Sequence, residues 1–393
     1  MVKYLPDMDA QAPLSAGRKF TPALHEAGNA QNPDGRRGRG AVSNASSRFD
    51  RLRKLLRDNH FAFDDDGWGS ADAPPPALKT TVTIDTTRTI LAKNDSPDVP
   101  FDRSINPYRG CEHGCVYCFA RPTHAYLGLS PGLDFESRLF AKPEAAKLLA
   151  SELRKPGYNC RPIAMGTNTD PYQPLEKSMA ITRDIIKVLA AFEHPLTIVT
   201  KSALVARDID ILAPMAEKRL VQVMLSVTTL DRGLARKMEP RAATPQKRLD
   251  AVSALAAAGI PTGVMFAPVI PGLTDHEMES VLEAGRDAGA SMAGYVLLRL
   301  PYEIKDIFQE WLAERVPDRA ARVMSHIRAA RGGKDNDAHF GSRMVGQGPY
   351  AELITNRFRM ATHRLGLNQR RIPLDTQRFR APPAAGDQLS LFG

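Results

Sequence analysis

From about residue 80 onward, short apolar runs alternate with stretches in which apolar residues recur every three or four positions. The runs TTVTIDTTRTIL, RPIAMGTNT (161–169), PLTIVTKS (195–202), LVQVMLSVTT (220–229), PTGVMFAPVI (261–270) and AGYVLLRL (293–300) are rich in β-branched residues and read as strands. Between them MAITRDIIKVLAAFE, ALVARDIDILAPMAEKR, TPQKRLDAVSALAAAG and TDHEMESVLEAGRDAG carry the helical period. With a short strand at INPYRG (105–110), the pattern predicts about six βα units. Strict alternation implies a parallel sheet with helical crossovers, and strands apolar almost throughout imply a sheet buried on both faces. A doubly wound sheet and an incomplete (β/α) barrel both satisfy this pattern.

Either architecture puts a site at the carboxyl ends of the strands. The polar residues collect there. Gly110 leads into Cys111; Thr167, Asn168, Thr169 and Asp170 follow one strand, Thr200, Lys201 and Ser202 another, and Ser226 and Thr228 a third. Ser202 and Thr244 also have the chemistry of helix N-caps.

The flanks have a different texture. Residues 1–79 are rich in Ala, Gly, Pro, Asn and Asp and predict a largely disordered arm. It holds a basic amphipathic helix at SSRFDRLRKLLRDNHF (46–61) and a linker at ADAPPPA (71–77). The core is expected over 80–333, a basic extension over 334–380, and a flexible tail over 381–393. The chain is 43% hydrophobic and carries a formal net charge of +9, which favours an anionic partner such as nucleic acid. No run of 18 apolar residues suggests a membrane span, and MVKYLPDMDAQAPLSAG lacks the apolar core of a secretory signal. The cytoplasm is therefore expected.

A reducing compartment disfavours disulfides, so clustered cysteines there bind metal or do chemistry. Three of the four cysteines fall in CEHGCVYC, as Cys111, Cys115 and Cys118. Structural zinc wants a closed set of four ligands, for which His113 or Cys160 is available. A [4Fe–4S] cluster usually takes four cysteines, so three leave one iron open to an amine and a carboxylate.

CxxxCxxC directly after a strand, with Tyr117 before the third cysteine, resembles the radical S-adenosylmethionine (SAM) superfamily. The resemblance covers about 100–300. It implies a partial (β/α)6 TIM-like barrel in which Cys111, Cys115 and Cys118 hold a [4Fe–4S] cluster. The open iron chelates SAM, and an external donor of the flavodoxin or ferredoxin type supplies the electron. The resemblance also implies SAM contacts from Tyr117, from Gly166, Thr167 and Asn168 (in place of the family's usual Gly-Gly-Glu), and from Ser226. VIPGLTD (269–275) matches the stretch that packs on adenine, and Arg241 in MEPRAATP is placed to reach the SAM carboxylate.

NPYRGCEHGCVYCFAR and TKSALVARDIDIL look most like the branch containing spore photoproduct lyase. That likeness implies lesion repair on DNA, puts Lys201 next to SAM, and makes Cys160 a candidate hydrogen-atom donor. QLSLF at 388–392 resembles the peptide that docks bacterial repair proteins on the DNA sliding clamp, with Gln388, Leu389, Leu391 and Phe392 as anchors. Radical modification of RNA or protein keeps the chemistry and changes the substrate. A metal-stabilised nucleic-acid-binding module is the non-enzymatic reading; it predicts tolerance of Lys201→Ala and Ser226→Ala.

Overall fold

A computed structural model describes residues 39–49, 79–370 and 373–383 of the chain. The helix expected at 46–61 lies almost wholly outside these residues, and the 71–77 linker and the QLSLF tail lie outside them entirely.

The predicted strands form largely where the β-branched runs stand, but INPYRG (105–110) divides between a barrel strand that ends at Ile105 and a separate one at Tyr108–Arg109 in a smaller sheet. β1 (Thr81–Ile84), β2 (Leu91–Lys93), β3 (Arg103–Ile105), β4 (Tyr108–Arg109), β5 (Arg138–Ala141) and β6 (Ile163–Met165) come first in the chain. β7 (Leu196–Thr200), β8 (Val221–Ser226), β9 (Thr262–Val269) and β10 (Met292–Leu297) follow. The main sheet has seven strands in the order β10-β9-β8-β7-β6-β3-β2. β3 and β6 to β10 pair in parallel, and β2 closes one edge antiparallel to β3. β10 and β2 stand at opposite edges of the sheet. The architecture is therefore a partial (β/α)6 barrel, as the alternating pattern and the resemblance required. A small sheet of β1, β5 and β4 stands beside it.

Five crossover helices join the parallel strands, α1 (Ala145–Leu153), α2 (Ile181–Ala191), α3 (Ile209–Glu217), α4 (Pro245–Ala257) and α5 (Met278–Asp287), and α6 (Ile304–Arg315) follows the last strand. Their starts obey local chemistry. Ser202 accepts from the Leu204 N–H at 3.3 Å, and Thr244, followed by Pro245, accepts from the Lys247 N–H at 3.4 Å. Both capping expectations hold. Ile163, Met165, Ile198, Val223, Leu225, Val264 and Phe266 are almost wholly buried in the barrel core.

The flanking segments are more integral than their composition suggests. Residues 39–49, assigned to the disordered arm, lie on the barrel as a strap. The backbone N–H groups of Gly40 and Ala41 donate to the Glu136 carboxylate at 2.9 and 2.8 Å. Ser43 donates to Glu310 at 2.7 Å, and Arg48 meets Glu303 at 2.9 Å. A Cβ on Gly40 would stand 1.6 Å from the Gly114 carbonyl oxygen, so only glycine fits where the strap crosses the cysteine loop. A glycine- and serine-rich segment reads as a linker until its partners are known.

The expected extension also belongs to the barrel. Helix α7 (Pro349–Arg364) covers the β10 edge, where Phe358 packs on Tyr295 and Arg357 pairs with Glu279. Residues 373–383 return to the amino-terminal end of the strands. There Phe379 packs against Tyr158, Phe192 and His194, and Arg219 pairs with Asp375.

Arg121 and Glu136 are fully buried and 2.5 Å apart, directly under the cysteine loop. Glu136→Ala leaves the Arg121 guanidinium unpaired in the interior and frees the strap. It is expected to destabilise the protein by roughly 3–5 kcal/mol. A drop in the urea midpoint, together with faster tryptic cleavage at Arg39, would check it.

Candidate functional site

β4 ends at Arg109, and Gly110 turns the chain in the left-handed region (φ 75°) into the cysteine loop. Gln173 pins that turn from both sides. It accepts from the Glu112 N–H at 2.9 Å and donates to the Gly110 carbonyl at 3.1 Å. The Val116 N–H donates to the Met238 carbonyl at 3.0 Å, and Arg121 donates to the Cys115 carbonyl at 2.9 Å. The loop is thus fixed at its start and middle by Gln173 and Met238, partners distant in sequence, and from just beyond its end by Arg121.

Cys111, Cys115 and Cys118 are free thiols and line one cavity of about 240 Å³ at the carboxyl ends of the barrel strands. Burial pushes all three thiols up, and the Asp170 carboxylate adds to this at Cys111 and that of Glu239 at Cys115. Lys201 opposes the rise at Cys115 and Cys118, and Arg121 opposes it at Cys118.

Residues from three other strand ends complete the lining. After β6, Gly166 takes φ 88°, and a Cβ there would stand 1.9 Å from the Val199 carbonyl oxygen, so the turn into Thr167 and Asn168 requires glycine. The Asn106 side chain shapes this turn by accepting from the Asn168 N–H at 3.1 Å. After β7, Lys201 donates to the Ala267 carbonyl at 3.2 Å, with its ammonium 5.7 Å from the Tyr117 ring centroid. Ser226, at the end of β8, is buried in the same wall. Tyr117, Gly166, Thr167, Asn168, Lys201 and Ser226 therefore share one cavity with the three cysteines.

Two residues expected at the site lie elsewhere. Arg241 does not line the cavity; its guanidinium is bonded to Glu112 at 2.7 Å, because the residue after Cys111 presents a nearer carboxylate. Cys160 precedes β6, whereas the cavity lies beyond that strand's other end. It faces the Arg103 and Tyr158 region instead.

Sequence reasoning also missed a buried ionic layer. Glu239 receives hydrogen bonds from Tyr117, Arg248 and Thr228, the last at 2.7 Å. Arg248 also donates to the Ser226 carbonyl at 2.9 Å. Asp170 accepts from Thr200 at 2.6 Å and the Lys201 N–H at 2.8 Å, with His113 Nδ1 at 3.4 Å. Burial raises both carboxyls, but the cations and donors around them outweigh it and hold each at about 2. Only the EPRAATPQKR spacing of Glu239 and Arg248, nine residues apart, hinted at this pair.

The donor set fits an iron–sulfur cluster better than zinc. Cys160 is at the far end of β6, so it does not complete a four-ligand site with the three thiols. Among the described residues, no three Cys, His, Asp or Glu side chains gather around a point for a single ion. A cubane instead takes its thiolates one per iron.

Asp170 and Glu239 ionise in the folded protein well below the ordinary carboxylate range. Their contribution to stability is therefore full above about pH 4.5 and is lost as the pH falls through about 2. Glu239→Gln is expected to flatten the acid limb of a stability-versus-pH curve and to cost a few kcal/mol at neutral pH. Thermal melts of both proteins between pH 2 and pH 7 check the slope.

Residues 105–284 match the profile of the Radical SAM superfamily. An uncharacterized protein of Mycobacterium tuberculosis is 41% identical over 226 residues, covering 57% of this chain and 66% of its own length. One from Methanocaldococcus jannaschii is 31% identical over 173 residues, covering 44% of this chain and 62% of the relative. The matches thus span just under two thirds of these relatives. Among solved structures, spore photoproduct lyase complexed with dinucleoside spore photoproduct superposes with a TM-score of 0.55 at 14% identity, over 81% of this chain and 92% of that one. A single-residue mutant of spore photoproduct lyase gives the same TM-score, 0.55, at 16% identity and the same coverage. The three-cysteine loop, the strand-end cavity and the profile match agree: residues 105–284 of this chain are a radical SAM domain, and the chain shares the fold of spore photoproduct lyase.

Proposed function

We propose that this protein is a radical SAM enzyme that abstracts a hydrogen atom from a lesion in DNA, in the manner of photoproduct repair. The observation that carries the reading is the single cavity shared by Cys111, Cys115, Cys118, Gly166, Lys201 and Ser226. When bound, the [4Fe–4S] cluster and SAM supply hydrogen abstraction by a carbon-centred radical. The chain's own residues hold and enclose that chemistry. The three cysteines ligate the cluster. The backbone at Gly166–Asn168 is open to an amine, and Lys201 and Ser226 border the same space. Met265, Ala267, Val296 and Leu298 add an apolar face to the lining, which disfavours water there.

DNA as the substrate is supported by the +9 charge and by the fold shared with a protein complexed with a dinucleoside photoproduct. Among the arginines of the flanking segments, Arg39 is turned inward to Thr80, Arg378 pairs with Asp375, and Arg380 pairs with Glu193. Arg370 is exposed. Docking on the sliding clamp through Gln388, Leu389, Leu391 and Phe392 belongs to the same proposal and rests on the tail sequence. Among the described residues, no helix is long and apolar enough to cross a membrane.

The test is anaerobic turnover of the reconstituted, reduced full chain with SAM. Ultraviolet-irradiated DNA, intact DNA and tRNA are compared as substrates. The expected result is 5′-deoxyadenosine formation that rises with irradiated DNA, accompanied by loss of the lesion. Both should fall to background in Cys115→Ala. Stimulation by tRNA alone would move the substrate to RNA, and a metal centre indifferent to SAM would sink the radical reading.

A further inference from the structure

The cavity has a second end that the cofactor-side residues do not explain. Arg299 stands two residues beyond β10 and lines this end. Its guanidinium carbon lies 5.8 Å from the centroid of the Phe119 ring. Among the described residues its buried Nε has no hydrogen-bond partner, and Nη1 reaches only the Met344 sulfur at 3.7 Å. The neighbouring arginines each carry several hydrogen bonds, although the Nε of Arg331 is also unpartnered among the described residues. Arg331 donates to the carbonyls of Leu298, Ser342 and Arg343, and Arg343 is held by Asp98 and Ser96. Asp98 is the nearby carboxylate, and it is already taken by Arg343 and by the Gly341 N–H. Arg299 thus brings a half-buried cationic fork to the cavity, with the donor capacity of its buried Nε unmet. An unmet buried donor calls for an acceptor from a ligand.

Phe119 supplies the other half of the arrangement. It follows Cys118 directly, lines the same cavity, and is 50% exposed despite its size. The two segments that carry Phe119 and Arg299 continue with Tyr126 and Tyr302, which are 72% and 64% exposed and flank the Arg48 guanidinium at 5.0 and 4.4 Å. Large exposed rings on both sides of a cation are costly as plain surface. They suit planar groups that arrive one after another along a strand.

We propose that Arg299 and Phe119 form a nucleotide subsite at the substrate end of the cavity, Arg299 binding a phosphodiester and Phe119 stacking a base of single-stranded or extruded nucleic acid. This deepens the reading above and rests on it. A guanidinium fork matches two phosphate oxygens, and an aromatic face accepts any base, so the subsite positions the strand without reading its sequence.

The test is equilibrium binding of a fluorescein-labelled single-stranded DNA decamer to the cluster-loaded full chain across a salt series. Arg299→Gln is expected to weaken binding about tenfold. It should also lower the slope of log K against log salt by about 0.7. Arg299→Lys should keep the slope while losing affinity, because it retains the charge but not the fork. Phe119→Ala should weaken binding about tenfold with the slope unchanged. The SAM-induced change in the EPR spectrum, recorded on each variant, should match wild type. Decamer binding by the wild type that survives Arg299→Gln unaltered overturns the subsite and leaves the nucleic-acid reading standing. Loss of the SAM-induced change in Arg299→Gln assigns this arginine to the cofactor and also overturns the subsite. A wild type that ignores the decamer but binds an acidic peptide overturns both readings.

Discussion

A charge that cannot reach water has to be met by the protein, and the guanidinium of Arg121 sets that requirement at the centre of this molecule. Glu136 answers it, and the same carboxylate accepts the backbone of Gly40 and Ala41. One buried anion therefore ties together the end of the cysteine loop, the small sheet's approach and the strap. Removing either charge exposes the other to an apolar interior, which costs far more than any surface pair contributes. A second layer, Glu239 with Arg248, repeats this logic behind Tyr117 and Ser226. The cavity wall is rigid because its polar atoms are already committed to fixed partners.

That commitment separates the two ends of the cavity. Toward the cysteines, Asp170, Glu239 and Lys201 each have several partners and set a fixed field around the thiols. Toward Phe119 and Arg299 the polar groups are only partly met. A preorganised end suits a resident group whose position must not vary, and an unsatisfied end suits a substrate that comes and goes.

The barrel was legible because its strands are short, apolar on both faces and separated by helices of clear period. The cysteine loop was legible because three thiols in eight residues have few bland explanations. Cys160 was misplaced for a topological reason. A residue just before a parallel strand lies at the end opposite the catalytic rim, however close it stands in sequence to residues on that rim. Arg241 was misplaced because its partner, Glu112, is 129 positions away, and no local pattern reveals such a pair. Gln173 and Asn106 went unread because a single buried amide has no periodic signature. The strap went unread because its composition is that of a linker, and its order comes largely from carboxylates on distant elements.

The strap's partners also set an order of events during synthesis. Ser43 must find Glu310, which is 267 positions later, and Arg48 must find Glu303, 255 positions later. At roughly 5–20 residues per second, the ribosome delivers those carboxylates only some tens of seconds after the strap has emerged. The barrel strands β3 to β10 are all made in that interval. Some of the earliest described residues to be translated are thus among the last that can dock. Gly40 and Ala41 can meet Glu136 much sooner, so the strap closes over the cysteine loop at one end well before its Ser43–Arg48 end can dock.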